Sequence, residues 1–194
     1  YIALIDGIVM GGGMGIAQGC SVRIVTERTR VAMPETTIGL FPDVGGGYFL
    51  SRCPGHVGEY LALTGHTISG EQALAWGLAD VCVPSSQLPA WWATLQTHTS
   101  AESFARWIAT DLIATHATTT RASDLLDAEI ESAFGLETVA DIVGALEVQG
   151  SAASLAVART LRQRSPLMLH VVLEQVRRAR SMSLADDLRM ERDL

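Results

Sequence analysis

Glycine and proline are concentrated in the first 100 of the 194 residues, and this distribution limits the folds that the chain can adopt. That part holds most of the 18 Gly and five of the six Pro, which are the residues that form tight turns and end helices. Its apolar runs are short and rich in Val and Ile, as is typical of strands. From Leu88 onward, apolar residues recur at helical spacing. The sequence therefore predicts a mixed α/β (α+β) part over residues 1–89 and a helical region over residues 90–194.

The predicted elements follow from the same patterns. Strands are expected over residues 1–9, 21–26, 31–33 and 79–83. Helices are expected over residues 14–19, 46–52, 57–64, 69–76, 88–96, 102–115, 122–132, 138–149, 151–163 and 167–181. Tyr1–Ile5 has the composition of a strand interior, and the helical pattern of residues 184–194 stops without a cap. We therefore expect the chain to be a fragment of a longer protein.

Charge and missing residue types exclude several classes of protein. The net charge of −7 and the pI of about 5.1 argue against nucleic acid as a partner, because such a partner requires a basic face. All 14 basic residues are Arg, which excludes a Schiff-base lysine and a Walker A phosphate loop. The sequence has no Asn either, which excludes N-glycosylation and a Cys-His-Asn triad.

The cysteines, histidines and uncharged runs are also informative. Cys20, Cys53 and Cys82 lack C-x-x-C spacing and are expected to be buried thiols in a reducing compartment, which we take to be the cytoplasm. The five His are scattered without the spacing of metal ligands, so no metal site is predicted. The longest uncharged runs, residues 7–22 and 81–101, contain Gly, Pro and polar residues and do not predict a membrane span.

A run of three glycines, Gly11-Gly12-Gly13, follows the first predicted strand and precedes a helix. Glycine lets the backbone approach a ligand without a Cβ in the way. The free N–H groups at the start of a helix attract an anion, such as phosphate or the oxyanion that develops on a carbonyl. Close packing of the helix on the strand is the alternative explanation for this run.

A second stretch, residues 33–47, carries Glu35 and Asp43 among prolines, glycines and apolar side chains. A carboxylate in an apolar pocket has a raised proton affinity and can act as a base or a nucleophile. The alternative is that both are turn or cap residues, with Asp43 as the N-cap of the helix that follows.

Several short motifs occur in a fixed order along roughly residues 1–90. After the GGG turn and the second strand come Pro34-Glu35, the loop Ile38-Gly39-Leu40-Phe41-Pro42, Leu63-Thr64-Gly65, Ile68-Ser69-Gly70 and Gly77-Leu78-Ala79. In this order they resemble the crotonase superfamily of enoyl-CoA hydratases and isomerases. The resemblance implies a spiral of ββα units with a helical C-terminal region, and assembly into a homo-oligomer, a trimer or a hexamer.

Within that superfamily the sequence is most similar to the 3-hydroxyisobutyryl-CoA hydrolases. The string Met33-Pro34-Glu35-Thr36, followed by residues 38–50, is characteristic of that branch, and the helical stretch 97–150 resembles it too. Hydratases carry a catalytic Glu two residues after the GGG turn, where this chain has Gly15. The resemblance therefore implies hydrolysis of an acyl-CoA thioester, 3-hydroxyisobutyryl-CoA in valine catabolism.

The resemblance also implies roles for individual residues. Gly12 would donate one of two oxyanion hydrogen bonds, with Gly11 and Gly13 beside it in the substrate-binding turn and the other donor upstream of Tyr1. Glu35 would be the nucleophile or the base that activates water, and Asp43 would bind the substrate hydroxyl or orient that water. No cofactor is implied beyond the coenzyme A of the substrate. Without Lys, its phosphates would be met by arginine, and the candidates are Arg23, Arg28, Arg30 and Arg52.

Three alternatives stay open. The first is a hydratase or isomerase of the same fold, and the second is a non-catalytic member that binds acyl-CoA. The third is a nicotinamide oxidoreductase that uses the GGG turn and Glu27. This last alternative does not meet the G-x-G-x-x-G fingerprint, because Gln18 stands where the last Gly should be.

Overall fold

The computed structural model describes residues 1–97, 100, 102–103, 107 and 128–194. Strands and short helices alternate in the first part, and helices alone make up the rest of the described chain, so the predicted α/β class is confirmed. Most of the predicted helix over 102–115 and the first part of the one over 122–132 lie outside the described residues.

The described strands are β1 (Ile2–Ile5), β2 (Ile8–Met10), β3 (Val22–Val25), β4 (Arg30–Ala32), β5 (Ile68–Ser69) and β6 (Val81–Cys82). The described helices are α1 (Gly12–Gln18), α2 (Gly46–Leu50), α3 (Val57–Thr64), α4 (Gly70–Ala75), α5 (Leu88–Thr97), α6 (Ala128–Ala133), α7 (Val139–Gln149), α8 (Ala152–Arg162), α9 (Pro166–Ala179) and α10 (Leu184–Asp193). Two 3₁₀ turns, Glu35–Ile38 and Ser85–Gln87, complete the list.

The strands form two small sheets. In one, β3 lies between β1 and β6 and pairs with both in parallel; in the other, β4 lies between a parallel β2 and an antiparallel β5. The chain changes sheet between β1 and β2, β2 and β3, β3 and β4, and β5 and β6. Parallel neighbours with a helix between them are the result expected for βα units.

The single strand predicted over residues 1–9 is therefore wrong, because the chain turns a corner at Asp6 and Gly7. The Asp6 carboxylate accepts hydrogen bonds from the Thr26 hydroxyl (2.7 Å) and from Arg28. The Thr29 hydroxyl donates to the carbonyl of Ile5 (2.5 Å), which closes the corner from the other side. These partners lie about twenty residues away along the chain, so local periodicity does not reveal the break.

One hydrophobic core runs through both parts of the chain. It contains residues of the strands and of α3, and also Phe134 and one face of α9, formed by Leu169, Val172, Leu173 and Val176. The Tyr60 ring of α3 meets Phe134 edge to face, with ring centroids 5.4 Å apart. The division between residues 89 and 90 stays a prediction. None of the described helices combines the length and the hydrophobicity that a membrane crossing needs.

Candidate active site

The GGG turn joins β2 to α1, and the structure separates the roles of its three glycines. Gly11 has φ +52° and ψ −126°, a conformation that is open essentially to glycine alone. Its N–H donates to the carbonyl of Ala32 at the end of β4 (3.2 Å), and its own carbonyl accepts from Met14 and Gly15. Because of these bonds, α1 begins at Gly12, two residues earlier than predicted. Gly12 and Gly13 are exposed at a helix start, where the first N–H groups have no intrahelical acceptor.

Glu35 follows β4 by three residues and lies against this turn. Its side chain is buried, with 8% of the residue exposed. A Cβ at Gly11 would lie only 2.8 Å from Glu35 Oε1, so a side chain at position 11 would displace the carboxylate. The structure thus brings together the two signals that the sequence singled out.

The environment of Glu35 favours its neutral form. Burial raises the pKa of Glu35, and the negative charge of Asp43 raises this pKa further, against the hydrogen bond from the residue's own backbone N–H. Oε2 of Glu35 is buried and has no hydrogen-bond partner within the described part of the chain. A buried carboxyl with a raised pKa and a free oxygen is the arrangement that base or nucleophile chemistry requires.

Asp43 lies in the loop between the 3₁₀ turn and α2, and its side chain is exposed. The interpretation of Asp43 as a helix cap is wrong, because Gly45, which has no side chain, is the N-cap of α2. The backbone carbonyl of Asp43 accepts from Gly46 N–H (2.8 Å). Its carboxylate is therefore free of a capping role while it acts electrostatically on Glu35.

According to the resemblance, hydratases carry a second carboxylate at position 15, where this chain has Gly15. The space that a side chain at this position would need is filled by Val44. A Cβ at Gly15 would come within 2.5 Å of Val44 Cβ and Cγ2, and within 2.8 Å of the Val44 carbonyl oxygen. Val44 itself has φ +54° and is the only non-glycine residue of the described chain with a positive φ. Such a conformation in a β-branched residue is uncommon and marks a strained position. The loop that carries Asp43 thus fills the place of the missing carboxylate.

We expect Gly15→Ala to lower the free energy of unfolding by about 1–3 kcal/mol, the usual cost of overpacking. Removing the Val44 side chain as well should restore part of this loss, because the added methyl group would then meet the Val44 carbonyl oxygen at 2.8 Å but not the Val44 side chain. Urea unfolding of Gly15→Ala, Val44→Gly and the double variant measures the coupling between the two sites. Purely additive effects would contradict the contact.

The four arginines proposed for the coenzyme A phosphates all have partners within the chain. Arg23 pairs with Asp80 (2.6 Å), and Arg28 pairs with Asp6. Arg30 donates to the carbonyl of Thr29 (2.7 Å). Arg52 lies over the Tyr48 ring, 3.4 Å from its centroid. Arg23 and Arg52 share a cavity of about 320 Å³ with Gly15, Val44 and Leu184, and any contact with coenzyme A remains a prediction.

The described residues contain no group of three or more His, Cys, Asp or Glu that could hold a metal ion. Sequence reasoning did not single out Asp187 and Glu191, whose carboxylates accept hydrogen bonds from the loop after Asp43. Two acids at i and i+4 on a polar helix usually indicate a solvated face, so the sequence carries no signal for their burial.

The fold of this chain is similar to two solved structures. One is a carnitinyl-CoA dehydratase from Mycobacterium thermoresistibile, with 42% identity and a TM-score of 0.78 over 98% of this chain and 54% of that one. The other is an enoyl-CoA hydratase from Rhodobacter sphaeroides, with 32% identity and a TM-score of 0.82 over 98% of this chain and 53% of that one. The fold and the site define a crotonase-type α/β protein.

The enoyl-CoA hydratase/isomerase family model matches residues 1–194, and the chain belongs to that family. Two curated relatives share 40% identity: the mitochondrial 3-hydroxyisobutyryl-CoA hydrolase of Xenopus tropicalis, over 98% of this chain and 51% of the relative, and 3-hydroxyisobutyryl-CoA hydrolase 1 of Arabidopsis thaliana, over 92% and 49%. The predicted family is confirmed. The chain spans about half the length of these relatives.

Proposed function

We propose that the protein hydrolyses an acyl-CoA thioester, and that this thioester is 3-hydroxyisobutyryl-CoA. The observation that carries the proposal is the buried Glu35 carboxyl, which lies against Gly11 and near Asp43 while Val44 fills the space at Gly15. The arrangement has a carboxylate for attack on a thioester and lacks the second one that hydration uses. The names of the curated relatives support the same reaction.

In the proposed reaction the thioester carbon lies near Glu35 and its oxygen lies at the start of α1. Attack on the carbon, by Glu35 or by water that Glu35 deprotonates, places negative charge on that oxygen, and the N–H of Gly12 stabilises it. Loss of one such donor typically lowers a rate about 10²- to 10³-fold. The carbon–sulfur bond breaks, and coenzyme A leaves as the thiolate and is protonated. If Glu35 itself attacked, water then hydrolyses the anhydride formed with Glu35. By either route the elements of water end on the acid and the thiol. Asp43 binds the 3-hydroxyl group or orients the water.

Hydration or isomerisation of an enoyl-CoA is the second candidate, and the names of the two similar proteins of solved structure, a dehydratase and a hydratase, favour it. Position 15 argues against it, because the place of the second carboxylate is filled by Val44. A member that binds acyl-CoA without turnover is the third, and it leaves the buried Glu35 without a chemical role.

The proposal predicts that the full-length protein releases thiol from 3-hydroxyisobutyryl-CoA and hydrates crotonyl-CoA slowly, if at all. Isobutyryl-CoA, which lacks the hydroxyl group, should be hydrolysed with roughly 10- to 100-fold lower kcat/KM, because a hydrogen bond to a charged group contributes about 1.5–3 kcal/mol. Thiol release and loss of the enoyl absorbance measure the two reactions. Faster hydration than hydrolysis would favour the hydratase or isomerase. Binding of the thioester without either reaction would favour the non-catalytic member.

We also propose a homo-oligomer without a cofactor beyond the substrate's coenzyme A, in a reducing compartment such as the cytoplasm. All three cysteines are free, which supports a reducing compartment. Only Cys53 is buried as predicted, and burial raises the pKa of its thiol to about 12; Cys20 and Cys82 are partly exposed. The Xenopus relative is named as a mitochondrial protein, so the choice of the cytoplasm rests on the sequence alone.

A further inference from the structure

The loop that carries Asp43 is attached to the far end of the chain through its backbone. Two carboxylates of α10 accept hydrogen bonds from backbone N–H groups that follow Asp43. Glu191 accepts from Gly45 (3.0 Å) and more weakly from Gly47 (3.4 Å), and Asp187 accepts from Tyr48 (2.8 Å). These are the N–H groups at the start of α2, which have no acceptor within that helix. The side chains of α10 therefore provide the cap that this helix lacks.

The second glycine run, Gly45-Gly46-Gly47, leaves little room for side chains, either toward α10 or within the loop itself. Gly45 has φ +86°, and a Cβ at Gly46 would lie 2.7 Å from Pro42 Cβ. A Cβ at Gly47 would overlap the Asp187 carboxylate. Side chains at these positions would therefore push the loop away from α10 or strain its backbone.

Helix α9 and Arg52 hold the same region from other directions. Gln175 is almost fully buried, and its side-chain amide donates to the carbonyl of Pro42 (2.7 Å), immediately before Asp43. Arg52 donates to the carbonyls of Ala179 (3.2 Å) and Met182 (2.8 Å) in the turn between α9 and α10. The loop is thus fixed on both sides of Asp43 by residues more than 120 positions away along the chain.

The two carboxylates of α10 are themselves buried, Asp187 completely and Glu191 with 8% exposed. Burial raises the pKa of Glu191 to about 7; the hydrogen bond from Gly45 opposes this rise and the Asp187 charge adds to it. Burial also raises the pKa of Asp187, although the charge of Arg52 opposes the rise. Two carboxylates that share a buried site resist carrying two charges at the same time.

We propose that Asp187 and Glu191 are positioning residues that fix the loop of residues 42–48 and thereby hold Asp43 beside Glu35. The effect of these residues on the reaction rate rests on the proposed hydrolase function. The attachment itself is a property of the folded protein and can be tested without a substrate.

The first test compares two conservative variants of the full-length protein. Glu191→Gln retains an acceptor for Gly45 and a donor toward Asp187, whereas Glu191→Asp keeps the charge but withdraws the carboxylate by one methylene group. We expect Glu191→Asp to lower kcat roughly 10²-fold, the effect of a displacement of about 1 Å, with KM within about threefold. Glu191→Gln should stay within a few-fold of wild type, and so should the exposed control Asp193→Asn. Wild-type kcat in Glu191→Asp, or an equal loss in Glu191→Gln, would overturn the proposal.

The second test separates this proposal from the proposed function. Amide hydrogen exchange at Gly45 and Tyr48 should be slow in wild type and Glu191→Gln and faster in Glu191→Asp, whatever reaction the protein catalyses. If hydrolysis is observed, Glu191→Asp should cause little further loss in an Asp43→Asn background, because both changes remove the same contribution. Unchanged exchange would overturn the attachment, and a full additive loss would overturn its action through Asp43. If the protein does not hydrolyse the thioester but Glu191→Asp still exchanges faster than wild type, the result would count against the proposed function alone.

Discussion

Glu35→Gln is expected to lower kcat for thioester hydrolysis roughly 10²- to 10⁴-fold, the contribution typical of a positioned base. The amide has nearly the shape of the carboxyl group but can neither attack the thioester nor accept a proton from water. The exposed Glu137→Gln is the matched control and should leave kcat unchanged. Thiol release from 3-hydroxyisobutyryl-CoA by the full-length protein measures the effect, and wild-type turnover in Glu35→Gln would remove the assigned role.

The same variant should not be less stable than wild type at neutral pH. Burial and the charge of Asp43 raise the pKa of Glu35 above its ordinary value of 4.5, so the fold favours the protonated form. Any stability lost through this group is lost as the pH rises through its raised pKa, and none is lost below its unfolded pKa. A neutral Gln avoids that loss, and the difference in Tm should shrink as the pH falls toward 4.5.

The pH dependence of kcat/KM in the wild-type protein follows from the same shift. Only the ionised form of Glu35 can act as base or nucleophile, so kcat/KM should fall as the pH drops through the raised pKa. The midpoint should lie above 4.5, the ordinary pKa of a glutamate. An acid limb at or below that value would indicate that another carboxyl group controls the rate.

Gly11→Ala is expected to have the second largest effect, because it acts on the backbone and on the site together. The backbone at Gly11 has φ +52°, and forcing a residue with a Cβ into such a conformation costs about 1–3 kcal/mol. The new Cβ would also lie 2.8 Å from Glu35 Oε1, and a catalytic group displaced by about 1 Å can lose roughly 10²-fold in rate. Urea unfolding and thiol release measure the two effects separately.

Gly13→Ala is the control that the turn itself supplies. A Cβ at Gly13 would make an ordinary contact with Val9 at 3.7 Å, and alanine favours a helix by up to about 1 kcal/mol over glycine. We therefore expect Gly13→Ala to be at least as stable as wild type. Equal losses of stability in Gly11→Ala and Gly13→Ala would contradict the distinction between the two positions.

The sequence located both halves of the candidate site. Glycine runs and isolated carboxylates between Pro and Gly are local patterns, and they singled out Gly11–Gly13, Glu35 and Asp43 before any contact was known. For Asp43 the sequence left a helix cap open as the alternative, and the structure excludes it because Gly45 is the N-cap of α2. The catalytic roles of these residues stay predictions.

Elements held by distant partners could not be predicted. The corner at Asp6 depends on Thr26 and Thr29. The strands on either side of it are both apolar, so their sequence predicts one continuous strand. The need for Gly at position 15 depends on Val44. In both cases the interacting residues lie too far apart along the chain for a local sequence pattern to include them.

The sequence by itself determined the fold class, the family and the identity of the candidate catalytic residues, because these depend on local composition and on motifs in order. Only the tertiary structure decided that Gly11 lacks room for a Cβ while Gly12 and Gly13 do not, that burial raises the pKa of Glu35, and that Asp187 and Glu191 are buried. These properties arise from contacts between residues that lie from about twenty to more than one hundred positions apart along the chain. Burial and proximity, which shift a pKa or exclude a Cβ, exist only after the chain has folded.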